Sequence, residues 1–171
     1  MAQTVEGTRG ELERRHSAAA NVVKLVGVFT LLLVLVALSG VLSGAVSFDP
    51  TAANTLRFTI IFLGVGAIVF RRTRFSTMRL QDIAALRGAS GLLETLQKTT
   101  VIVALIAALI AVLGLLISVM TGAGTDMLYL GVIAGAVLLY AYPRRAAWAA
   151  VVRALADGDA DPVRAAKGTI A

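Results

Sequence analysis

The chain has 171 residues, of which 58% are hydrophobic, and its mean hydropathy is +0.85. Soluble domains hold about 45–50% apolar residues, so this excess argues against a soluble globule. The formal net charge of +6 argues little for nucleic acid, because the cations flank apolar runs instead of forming one patch. With no cysteine, disulfides, thiolate metal sites, iron–sulfur clusters and thiol acylation are excluded.

Fifteen of the sixteen Lys and Arg fall in three segments: the N-terminal stretch with Lys24, the stretch from Arg71 to Lys98, and the stretch from Arg144 onward. Arg57 stands alone. Cytoplasmic loops retain Lys and Arg, and that bias sets orientation. The pattern predicts an all-α, integral membrane four-helix bundle with both termini cytoplasmic. It reads as two consecutive transmembrane hairpins joined by a cytoplasmic amphipathic connection. The richness in Ala, Val, Leu, Gly and Arg suits a GC-rich bacterium and its cytoplasmic (inner) membrane.

In chain order, residues 1–20 form a polar cytoplasmic tail with Arg9, Arg14, Arg15 and His16, helical only near its end. The transmembrane domain covers 21–145. Its first span runs over about 21–46, longer than a ~30 Å hydrocarbon core requires, so it tilts. Lys24 sits one turn inside and snorkels to the head groups. The apolar run is too long for a signal peptide and reads as an uncleaved anchor. Asp49-Pro50 makes a turn. The second span covers about 53–70, stops at Arg71-Arg72, and sends Arg57 to the external interface.

In the connection, 71–98, apolar residues such as Leu93 and Leu96 recur at helical spacing. Gly88 and Gly91 interrupt it, which predicts two short helices. The stretch either lies on the membrane surface or extends the second span into the cytoplasm and turns at 88–91. The third span is about 100–120 and the fourth about 127–143, with Pro143 kinking its end. Tyr129, Tyr140, Tyr142 and Trp148 fall where aromatic belts form. The cytoplasmic C-terminal part, 146–171, is a helix to about Leu155, a stop at 157–162 and a loose tail.

A shift of 74 residues lays Lys24 on Lys98 and Gly40 on Gly114, and a shift of 73 lays Arg71-Arg72 on Arg144-Arg145. This is a weak parallel pseudo-repeat, related by an axis along the membrane normal. Any two hairpins obeying the same charge rule would also look alike.

Two GxxxG motifs, Gly40–Gly44 and Gly131–Gly135, mark helix-packing faces. In lipid, small residues let backbones approach closely. They serve either an oligomer or partner interface or packing inside the bundle. Lys24, Arg71, Arg72, Arg144 and Arg145 are placed to contact anionic lipid head groups. Asp49, Arg57 and Asp126 form an external charge cluster, read as a modest ion pair.

No catalytic, cofactor or metal site emerges. His16, the sole histidine, reads as solvated. Asp157, Asp159 and Asp161 lack the glycine and the twelfth-position acid of a calcium loop. The expectation is a non-enzymatic accessory or scaffold subunit, a homo-oligomer or bound to other membrane subunits. The alternative is a small oligomeric channel or transporter lined by Ser39, Ser43, Thr59, Thr99, Thr100 and Ser118.

Overall fold

A computed structural model describes residues 2–41, 50–74 and 77–156, with the backbone alone over 2–6, 8, 9, 50, 74, 77–89 and 151–156. These residues form five helices: α1 (Ala2–Leu38), α2 (Pro50–Arg74), α3 (Thr77–Thr121), α4 (Gly124–Ala141) and α5 (Arg145–Ala156). Four helices are long and apolar enough to cross a membrane. At 1.5 Å per residue the 18 residues of α4 reach about 27 Å, close to a hydrocarbon core.

The helix α1 begins at Ala2, so the N-terminal stretch is helical throughout and not only near its end. Its buried residues Leu12, Ala19, Val23, Val26, Thr30 and Ala37 recur every three, four or seven positions, one continuous helix face. On the polar side, Arg15 and Glu11 pair at 2.9 Å across one turn. The helix ends earlier than its apolar run implies. Gly40 adopts φ 71°, the left-handed conformation that closes helices, and Ser39 N–H donates to Leu35 O at 3.0 Å. Residues 42–46, expected in the first span, lie outside the described residues.

The connection also differs from expectation. α2 runs on to Arg74, and α3 is a single helix of 45 residues that passes through Gly88 and Gly91. A helical glycine costs about 1 kcal/mol relative to alanine, and the long flanking turns of α3 offset that. Residues 71–74 of the polar stretch therefore belong to α2 and residues 77–98 to α3, which has no break at 88–91. At its other end α4 stops at Ala141, and Tyr142–Arg144 is non-helical. Pro143, which lacks an N–H, cannot continue the ladder.

The chain divides into two units. The first comprises 1–22, 71–101 and 142–171. Its core joins Leu12 and Ala19 of α1, Leu92, Leu93 and Leu96 of α3, and Trp148 of α5. Trp148 is only 4% exposed, so it belongs to this core and not to an interfacial aromatic belt. Leu93 and Leu96 of the connection are buried in the same core.

The second unit comprises 23–70 and 102–141. Its core takes Ala37 from α1, Ile60 from α2, Ile110, Ala111 and Ile117 from α3, and Met127, Leu130 and Ala134 from α4. Among the described residues, every exposed large hydrophobic except Tyr142 lies in this unit. Its only ionisable Lys, Arg, Asp and Glu are Lys24, Asp49, Arg57 and Asp126. The other fourteen of sixteen cations and eight of ten acids fall in the first unit, which therefore carries the whole net charge of +6.

Candidate functional site

Within the second unit, α2 presents Arg57 toward the first turn of α4. Its guanidinium Nη2 donates to Asp126 Oδ2 at 2.6 Å, and Nη1 donates to Asn54 Oδ1 at 2.6 Å. The Thr121 hydroxyl, at the end of α3, lies 2.9 Å from both Asp126 Oδ2 and Ile117 O. Asp126 also stabilises α4 as an anion in its first turn. The pair is part-buried, with side-chain exposures of 35% for Arg57 and 14% for Asp126. Arg57 Nε is buried without a hydrogen-bond partner among the described residues. The structure thus brings together two members of the expected charge cluster. Asp49, the third, lies outside the described residues.

The two GxxxG motifs separate into different roles. Gly40 stands past the end of α1, so it terminates a helix instead of lining a helix face, and Gly44 lies outside the described residues. Gly131 packs inside the unit: a Cβ there would stand 2.6 Å from Val34 Cγ2 of α1. Gly135, one turn on, would meet nothing within 4 Å. Gly114, which the 74-residue shift lays on Gly40, is buried mid-helix, and a Cβ on it would stand 2.9 Å from Leu130 Cβ.

The polar residues named as pore lining are bonded locally. Thr99 and Thr100 donate to the carbonyls of Thr95 and Leu96 four residues back, and the exposed Thr59 does the same to Thr55; the buried Thr30, not among them, likewise donates to Val26 O. Ser118 donates to Ala123 O at 3.1 Å and Ser39 to Val36 O at 2.7 Å. Ser43 lies outside the described residues. A cleft of about 250 Å³ is lined by Ala37, Leu38, Gly40, Ser118, Gly122 and Gly124 among others, and none of these side chains is ionisable.

The first unit also holds a polar corner that no local sequence pattern announces. His16 Nε2 lies 2.9 Å from Pro143 O. A carbonyl only accepts, so Nε2 carries the hydrogen. The imidazole meets Trp148 edge-on, with centroids 5.6 Å apart and planes at 86°. His16 is therefore half-buried and bonded, not solvated. Nearby, Arg145 pairs with Glu13, and Lys98 pairs with Glu94 at 2.7 Å. The other expected head-group cations, Lys24, Arg72 and Arg144, are exposed, and Arg71 is half-buried. Among the described residues no group of three His, Asp or Glu could hold a metal.

No family model, curated protein or solved structure matches the chain.

Proposed function

We propose that this chain is a non-enzymatic four-span membrane protein, both termini cytoplasmic, that acts as an accessory or scaffold subunit. One observation carries the reading. Every buried hydroxyl among the described residues donates to a backbone carbonyl of its own helix or the following turn. Among the described residues of the second unit, the Asp126 carboxylate is likewise engaged locally, by Arg57 and by the Thr121 hydroxyl. A solute path through a span needs polar groups turned toward it, and these are turned toward their own backbone. What remains is an apolar exterior on the second unit and a strongly basic first unit. Those are surfaces for lipid and for partner proteins.

The finer topology rests on charge. The cations that follow or precede the four apolar runs support a cytoplasmic position for those ends, and the composition supports a bacterial inner membrane. The Arg pairs 71–72 and 144–145 support reading α1–α2 and α3–α4 as parallel hairpins. The open Gly135 supports a contact with a second copy or another subunit. A reporter fused after residue 171 reads cytoplasmic in this scheme, and an external reading overturns it. Liposomes holding the purified protein alone pass no ions or small solutes. Robust flux would replace the scaffold by the small oligomeric channel or transporter. Co-purification from native membranes identifies the partner.

A further inference from the structure

We infer that α2 carries a site for an anionic phospholipid, with the lipid phosphate on Arg72 and one acyl chain along Val69, Val65 and Phe62. On a helix these four positions fall within an arc of about 80°. They extend about 15 Å along the axis, the depth of one leaflet of a ~30 Å core. All are open: Phe62 is 74% exposed, Val65 53%, Val69 52%, and Arg72 is exposed. Gly66 adds a notch between Phe62 and Val69, where a Cβ would meet nothing within 4 Å. A chain of methylenes fits beside the Phe62 ring there.

Charge selects the occupant. Three other cations of the first unit are already engaged: Arg15 with Glu11, Lys98 with Glu94 and Arg145 with Glu13. Arg72 is exposed and shows no ion pair among the described residues. A guanidinium matches a phosphate with two parallel donors. An acidic protein or nucleic acid would satisfy Arg72 but leave the apolar stripe beneath it bare, whereas an anionic lipid satisfies both. Lys24 heads a comparable face on α1, with Val28, Leu31 and Leu35 exposed. Its ammonium is a point charge that holds a phosphate less specifically.

The site rests on the membrane-spanning reading, and the test separates the two. Delipidated full-length protein in neutral detergent is titrated with phosphatidylglycerol and with phosphatidylcholine of the same acyl chains. Bound lipid is counted by native mass spectrometry. The wild type prefers phosphatidylglycerol about fivefold, as one juxtamembrane cation provides. Arg72→Gln abolishes that preference, Arg72→Lys keeps part of it, and Lys24→Gln changes it less than twofold. Raising the salt weakens the preference. An unchanged preference in Arg72→Gln overturns the site, as does an equal loss in Lys24→Gln, which would mean diffuse surface charge. Displacement of the lipid by soluble polyglutamate would assign the surface to an acidic protein instead. Equal binding of both lipids by the wild type removes the site but leaves the spans standing. Binding of neither lipid removes both.

Discussion

The two units use the helices they share, α1, α2 and α3, in opposite ways. In the second, apolar residues fill the core and also cover the exterior, and the four ionisable Lys, Arg, Asp and Glu sum to zero charge. In the first, the exterior is charged, the net +6 resides there, and a small core gathers around Trp148. Burial alone therefore does not distinguish a core in this chain. The nature of what is exposed does. A hydrophobic drive toward water exclusion holds the first unit together. In a bilayer the second unit must rely on close backbone approach and internal hydrogen bonds instead.

Loss of a core ring should separate the two units most clearly. Trp148→Ala leaves a cavity in the first unit costing about 3–5 kcal/mol. Limited proteolysis should then cut the segment around Leu92, while residues 102–141 stay protected. Simultaneous loss of both would show that the units do not respond separately. The next largest effect falls in the second unit. Gly131→Leu forces a side chain into Val34 and destabilises by about 1–3 kcal/mol. Gly135→Leu, facing open space, leaves the thermal midpoint in detergent within a degree or two, unless it disturbs an oligomer visible by mass.

Asp126→Asn weakens the clasp to Arg57. An exposure of 35% at Arg57 allows solvent screening, so the effect is on the order of 1 kcal/mol. A double-mutant cycle with Arg57→Gln should return that coupling, and a coupling of zero would make the pair incidental. The smallest effect is expected at the exposed Lys98–Glu94 pair. Glu94→Ala should change stability by only a few tenths of a kcal/mol, diminishing further in high salt.

The four apolar helices are legible in the sequence because their runs are long and their flanking cations abundant. Where α1 stops is not, because hydropathy passes smoothly over Gly40 and only its backbone angle marks the end. GxxxG spacing describes a face only where the chain is helical, as it is at Gly131 within α4, whereas Gly40 lies past the end of α1. The continuity of α3 through Gly88 and Gly91 is hidden because local propensity disfavours it. Trp148 and His16 are hidden differently, since their partners are remote along the chain; Pro143 is 127 residues from His16. The Arg57–Asp126 pair is partly legible, because an up-and-down order of the apolar helices predicts both residues at one end. Its geometry with Asn54 and Thr121 is not.

That pair also has a schedule. Arg57 and Asp126 are 69 residues apart in the chain. At about 5–20 residues per second of synthesis, the guanidinium exists for roughly 3–14 s before its carboxylate is made. Over that interval Arg57 has Asn54 within its own turn as a local partner, at 2.6 Å in the finished fold. The hydroxyls of Thr30, Thr55 and Thr59 need no such wait, because each bonds four residues back as soon as its turn forms. During biogenesis, then, the Arg57–Asp126 pair is a long-range obligation of α2 that is met only when α4 begins.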